Sequence, residues 1–530
     1  MLASVFTAYT ACVWRVESHH EAFVQTKDQH LKLICLAMVR FVAASAILFI
    51  SSIADAAVDP AVAVSTETIY SGLPWRDTAG DLVNAHGIGI LRVGSTYYMV
   101  GEKRTDKNDA SCGGNPEDLF AGINMYSSTD LTNWTFVGTP VLPNSGPLLS
   151  SKLIGERPKL YSNAATNKYF ILVKTMKSGG TSNQYVISSA DHVTGPYTYV
   201  GVLMYGDTNP AKGDVNVYID EDGAGYLIAP DGMIYRMSSD YLSIESLIVD
   251  NAWGSSVPWA GYCRSEGPGF FKAGDTYFLL GSHGTFWNAN DNFYATAPTI
   301  AGPWTYRGEF APKGSMTWNS QSGFVLPVPG VLGTSYIYMG DRWVNGRLTS
   351  SSLIWQPLKV AGTSMSLATY EPAWTIDVNA GTWSKVNVAD SGISVNSSET
   401  GTGTNQFDYR GTWSQSSVVG SYGHDLASSE SPNSVASIAF NGTQIFVYSF
   451  VDDKNMGIIG ITLMDSAGQA LAPEEYVSLR TDAAPQSNYL VYASPAMPSG
   501  SYVLKLRVTG LKDFKSSGRS VAIDRVVIRN

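Results

Sequence analysis

Four short segments carry polar side chains where an extended strand begins, the place from which a site is built on a β fold. GERPKL sets Glu156 beside Arg157 and before Pro158, and YCRSEGPGFFK sets Glu266 in a Gly/Pro-bounded turn that enters an apolar strand. TWNSQSGFVLPV sets Gln321 in a similar place, and GDVNVYIDEDGAGYL sets Asp214 just ahead of a strand. Carboxyl groups converging in this way can protonate a leaving oxygen and activate water across a sugar ring. Any one of them alone reads as a surface or hairpin carboxylate. The recurrence of the pattern along the chain points to a shared acidic site.

Other hydrolytic chemistries lack their residues. There is no Gly-x-Ser-x-Gly elbow, no His-Glu-x-x-His pair and no paired Cys spacing, which disfavours hydrolysis by serine or by zinc. Asp220-Glu221-Asp222-Gly223 opens like a calcium loop, but Ala224, Gly225 and Tyr226 supply none of the oxygen ligands that must follow, so a tight hairpin turn is expected. No cofactor and no metal in the site are expected, because acid and base chemistry by carboxyl groups needs neither.

The elements that would position these residues recur. Between about residues 84 and 358 an aromatic-rich strand is followed by a second strand and a turn, five times over: TYYMVGE, KYFILVK, GYLIAP, TYFLLGS and SYIYMGD begin the units. Each partner strand ends in a turn built on Asp, Gly or Pro, the punctuation of antiparallel strands. No stretch beyond the N-terminal segment keeps a 3.6-residue apolar period. Five such units predict an all-β chain whose five-bladed β-propeller leaves a pocket at its axis, with a large β-sandwich as the competing architecture. Composition turns to Ser, Thr, Gly and Asn through GTWSKVNVADSGISVNSSETGTGTN, after which alternating strands resume. The propeller is therefore assigned to residues 58–376 and a small C-terminal β-sandwich to 377–530.

The 530 residues are 44% hydrophobic, enough for sizeable cores, and disorder is excluded. Only 15% are charged, while 51 Gly, 29 Tyr and 13 Trp are plentiful, a balance suited to short strands, tight turns and aromatic faces left over for a ligand. A net charge of −10 without any basic run excludes a nucleic-acid partner. From Met38 the chain runs MVRFVAASAILFISSIADAA, the positive, apolar, small-residue order of a secretory signal, with cleavage expected near Ala56 or Ala57. Its apolar stretch, Phe41 to Ile53, is too short for the roughly 20 residues of a membrane span. Residues 1–37 fit no part of such a signal and read as an over-extended gene start. Secretion removes Cys12 and Cys35 and leaves Cys112 and Cys263, which either bond or stay buried as thiols. Sequons at Asn133, Asn396 and Asn441 agree with a secreted glycoprotein.

Taken together in order and spacing, NAHGIGIL, TYYMVGE, GERPKL, the DVNVYIDEDG hairpin, GYCRSEGPGFFK and TWNSQSGFVLPV resemble glycoside hydrolase family 43, over roughly residues 70–375 and specifically its exo-β-1,3-galactanases. The resemblance implies a five-bladed propeller that releases galactose from the non-reducing end of β-1,3-galactan with inversion. Most of the wider family uses an Asp base in the first blade; NAHGIGIL offers no carboxylate there. In the resembling subgroup a glutamine serves as base through its imidic acid form, and that position is Gln321. By the same resemblance Glu266 matches the general acid, Glu156 the glutamate that holds substrate and the attacking water, and Asp214 and Glu102 sugar-binding carboxylates. Thr285 lies in the segment SHGTFWNAND that contacts galactose, with Trp287 as a stacking face. Glu156 and Asp214 are expected to keep Glu266 protonated by like-charge repulsion.

Two departures stand out. Gly267 occupies a position where relatives commonly carry Ala, a change read as small, and VKTMKSGGTSNQY has no residue-by-residue match. The C-terminal part resembles galactose-binding-like sandwich modules; its Tyr409, Trp413, Tyr448 and Tyr489 fit core packing better than a sugar platform. The expected protein is thus a secreted, monomeric exo-galactanase acting on arabinogalactan, without a membrane once its signal is cleaved. An α-L-arabinofuranosidase or β-xylosidase of the same family and a non-catalytic, lectin-like galactan binder are the alternatives.

Overall fold

The computed structural model describes residues 67–105, 119–177, 181–259 and 263–530. The gene-start and signal readings for residues 1–57 fall outside these, as does Cys112. Helix is nearly absent: the described residues hold three three-residue helical turns, one four-residue turn and 35 strands. No helix among them is long and apolar enough to cross a membrane.

Five four-stranded antiparallel sheets follow one another along the chain, each a simple meander. The first runs His86–Val93, Thr96–Glu102, Ile123–Ser128 and Thr135–Val141. The second starts at Ile154–Asn163 and Lys168–Lys177, the third at Asn216–Ile219 and Gly225–Ala229. The fourth starts at Glu266–Ala273 and Thr276–Ser282, the fifth at Gln321–Pro329 and Thr334–Arg342. The aromatic strands expected to begin the units are each the second strand of a sheet: a further strand precedes every one of them, and the pairing with the following strand is also present. Four-stranded sheets of this kind fit the blades of a β-propeller.

The second strand of each sheet is apolar on both faces because both faces are covered. In the first sheet Tyr97 and Met99 join a cluster with Leu326, Ile337 and Trp355 of the fifth, while Val100 joins Ile171 and Val173 of the second. Likewise Leu172 packs with Leu227 of the third sheet, Ile228 with Leu279 of the fourth, and Phe278 with Tyr338 of the fifth. Five cores thus lie between successive sheets, and the last joins the fifth to the first. A fully buried Leu, Ile or Phe in these cores contributes about 1.5–3 kcal/mol. The outermost strands have only one covered face, and Thr305–Glu309 alternates exposed and half-buried residues.

Ile69–Tyr70 pairs with Ala373–Asp377, which pairs in turn with Thr382–Lys385, so a hairpin straddles residue 377. Beyond it, sheets built on Val435–Gly442, Gln444–Val451, Ile458–Asp465 and Gly500–Val508 share one core that includes Phe407, Ile438, Ile461, Val447 and Leu504. Tyr409, Trp413 and Tyr489 pack against this core and Tyr448 lies in a neighbouring one. Asp220–Gly223 forms a tight turn, closed by a Gly223 N–H to Asp220 carbonyl bond of 2.9 Å.

Candidate active site

One register position recurs around the ring. At or near the start of the first strand of four sheets, a residue faces one at or near the end of the second strand: His86 opposite Glu102, Glu156 opposite Lys174, Glu266 opposite Ser282, and Gln321 opposite Asp341. A β-bulge follows each pair, and a bulge re-aims the side chain beside it. Because the first strands stand side by side, these ends meet. Glu102, Glu156, Asp214, Glu266, Gln321 and Trp287 all line one cavity of about 380 Å³.

The cavity floor is a charge network. Arg157, whose φ of 51° bends the chain after Glu156, sends its Nε to Asp214 at 3.0 Å, one terminal nitrogen to Asp341 at 3.3 Å and the other to Gln321 Oε1. Its backbone N–H donates to Glu102 at 2.7 Å. Lys174 Nζ lies 2.6 Å from Glu156 and 3.2 Å from Asp214. Glu102 also pairs with Arg104. Burial pushes the Glu102 carboxyl up to about 7, with Glu156 adding to the rise and Arg104 and Arg157 opposing it. Burial works the same way on Asp214, but Arg157, Lys174 and the Gly267 N–H outweigh it and hold that carboxyl well below the ordinary range. Burial opposes the charge on Lys174, yet Glu156 and Asp214 keep it protonated far above the usual lysine range.

Glu266 sits above this floor. Its Oε2 accepts the backbone N–H of Thr285 and of Phe286, each at 3.2 Å, and the amide Nε2 of Gln321 at 3.4 Å. With three N–H groups turned to Oε2, Oε1 is the atom suited to carry a transferable proton. Gln321 is 3% exposed; its Oε1 accepts from Arg157 and from Trp343 Nε1 at 3.0 Å, which turns its nitrogen toward Glu266 and the Phe286 carbonyl. Trp343 packs edge-on against Trp287 at 5.0 Å.

The structure differs from the sequence expectations in three respects. Glu156 and Asp214 are ion-paired by Lys174 and Arg157, so their repulsion of Glu266 is compensated. The Thr285 hydroxyl is spent inside its own loop, donating to the Asn288 carbonyl at 2.6 Å and accepting from Asn290 at 2.7 Å; its backbone is what reaches Glu266. Gly267 has a φ of 55°, and an added Cβ would lie 2.2 Å from the Ser322 carbonyl oxygen, so an Ala does not fit here without a shift and the difference is not a small one. Arg157, Lys174, Asp341 and Trp343 were not singled out. Lys174 and Asp341 end KYFILVK and SYIYMGD as Glu102 ends TYYMVGE, and that shared repeat position was the available signal. Among the described residues no group of three or more His, Cys, Asp or Glu is arranged to hold a metal.

A family model described as glycosyl hydrolases family 43 matches residues 85–311. A solved exo-β-1,3-galactanase from Phanerochaete chrysosporium, in a structure with β-1,3-galactotriose, is 26% identical with a TM-score of 0.64, covering 87% of this chain and 100% of that one. A solved exo-β-1,3-galactanase from Clostridium thermocellum is 26% identical with a TM-score of 0.53, over 70% of this chain and 86% of that one. A non-reducing end α-L-arabinofuranosidase from Bacteroides ovatus is 24% identical over 214 residues, 37% of this chain; the match spans a third of that curated relative's length, 33%. With its four-stranded sheets and an acidic cavity where their first strands meet, the chain belongs to glycoside hydrolase family 43.

Proposed function

We propose that the protein is a secreted, inverting exo-glycosidase that releases galactose from the non-reducing end of β-1,3-galactan, the backbone of arabinogalactan. The observation that carries this reading is the meeting of Glu266 and Gln321 over the Glu102, Glu156 and Asp214 network in one cavity. Its likeness to solved exo-β-1,3-galactanases supports the choice of substrate. In the proposed reaction Glu266 protonates the glycosidic oxygen as the bond to the anomeric carbon breaks. Water held by Gln321 and Glu156 attacks the opposite face and gives up its proton late, to Gln321 in its imidic acid form. Inverting pairs stand about 6.5–9.5 Å apart to leave room for that water. The 3.4 Å contact between Gln321 Nε2 and Glu266 must therefore open as the galactose ring enters.

The five sheets serve in this proposal as the five blades, and the C-terminal sheets as a carbohydrate-binding β-sandwich of a monomeric glycoprotein. An α-L-arabinofuranosidase is the second reading, favoured by the Bacteroides ovatus relative. Product analysis on linear β-1,3-galactan distinguishes them: wild type releases galactose and loses at least about a hundredfold in rate in Glu266→Gln, within the range a general acid supplies. Arabinose from aryl arabinofuranosides with no galactose from galactan overturns the proposal, and galactan binding without any released sugar leaves a lectin.

A further inference from the structure

The loops that hold Glu266 and Gln321 are both tied to one residue from far along the chain. Thr285 and Phe286 give Glu266 its two backbone N–H bonds, and three residues on, the Ala289 N–H donates to Asp482 Oδ2 at 3.0 Å. Gln321 follows a turn in which Met316, Thr317, Trp318 and Asn319 all have left-handed φ, from 49° to 58°. Each such residue costs roughly 1–2 kcal/mol in an L-chain, so the turn persists only where its surroundings hold it. Asp291 accepts the Met316 N–H at 2.9 Å and Arg342 donates to the Trp318 carbonyl at 3.1 Å. The last residue of the turn, Asn319, accepts the backbone N–H of Asp482 through Oδ1 at 2.9 Å. Arg480 holds the other Asp482 oxygen at 2.6 Å.

We propose that Asp482 is a positioning residue for the reaction: its carboxylate fixes the loop that carries the donors to Glu266 and its N–H fixes the strained turn that presents Gln321, so the C-terminal part sets the acid and the opposing amide relative to one another. This rests on the acid and base roles proposed above. It gives the C-terminal part a task in turnover that is separate from holding polysaccharide.

The test compares Asp482→Ala and Asp482→Asn with wild type on β-1,3-galactobiose and on dinitrophenyl β-galactoside, with thermal unfolding as the check on folding. A dinitrophenolate leaves without a proton, so a residue that acts through Glu266 matters only for the sugar leaving group. In Asp482→Ala, kcat on galactobiose falls roughly ten- to a hundredfold, as small misplacements of a catalytic group do, with KM little changed, and the dinitrophenyl substrate loses less than about threefold. Asp482→Asn keeps an acceptor for Ala289 and recovers most of the rate. Equal losses on both substrates, an unchanged kcat in Asp482→Ala, or an Asn variant as slow as the Ala variant overturns the inference. A wild type inactive on galactobiose defeats the functional proposal instead. If the wild type does not accept the aryl substrate, the Asn and Ala variants on galactobiose decide.

Discussion

His86 holds in the first sheet the register position that Glu156, Glu266 and Gln321 hold in the second, fourth and fifth, yet it has been withdrawn from acid and base work. It is 4% exposed, its Nδ1 has no hydrogen-bond partner, and burial, with Arg104 adding, lowers its pKa to about 3. The sign of the consequence is fixed. An unfolded chain takes up a proton on this residue near 6.5 while the folded one refuses it, so stability falls as the pH drops from 6.5 towards 3. Between pH 7 and pH 4 the wild type loses about 3 kcal/mol that a His86→Gln variant keeps. Urea unfolding of both proteins at the two pH values measures this, and parallel losses would remove His86 from the account. NAHGIGIL already showed that no carboxylate stands here. That the histidine is buried and neutral was not legible, because it depends on Arg104 and on the Trp343 ring 5.9 Å away, both distant in sequence or unremarkable in type.

At the scale of the element, the site is a property of strand ends. The aromatic repeat located one strand of every sheet, read as the opening of its unit although it stands second, and the Glu or Gln ahead of these strands revealed half of the cavity. The other half, Lys174 and Asp341, hid because a repeat shows that positions are equivalent without showing which end turns to the cavity. Arg157 hid for a different reason: its left-handed φ, which folds it back over Asp214 and Gln321, has no signature in a non-glycine residue. Gly267 is the matching position after Glu266 and carries the same backbone conformation. Here an Ala side chain adds about 1–2 kcal/mol of left-handed strain and then meets the Ser322 carbonyl, the residue next to Gln321. Gly267→Ala is therefore expected to lower both the unfolding midpoint and kcat, with the strands of Glu266 and Gln321 forced apart. A variant with wild-type turnover and stability would mean that the fourth and fifth sheets yield easily at this contact.

Across the whole molecule, the composition shift near residue 377 was legible, but the way the chain crosses it was not. Ile69–Tyr70 returns to pair with Ala373–Asp377, and a single apolar cluster joins Leu73 and Ala373 to Val388, Phe446, Leu490 and Val527. Pairing over such a separation leaves no local pattern in the sequence. An ion pair reinforces it: Arg76 meets Glu475 through Nε at 3.1 Å and through a terminal nitrogen, with side-chain exposures of 8% and 5%, and gives a further bond of 2.6 Å to the Gly80 carbonyl. Burial raises the Glu475 pKa and Arg76 opposes the rise, so the carboxylate depends on its partner. Removing one member of a buried pair costs about 3–5 kcal/mol, whereas removing both costs much less, since no charge is left stranded. Calorimetry of the wild type should therefore give one cooperative transition in which residues 67–530 melt together. Arg76→Ala should divide it, the C-terminal sheets melting first, and Arg76→Ala with Glu475→Ala should restore most of the lost midpoint. If the single variant still melts as one unit at the wild-type midpoint, the apolar cluster alone joins the two parts. The brace that Asp482 lends to the catalytic loops would then not depend on the ion pair.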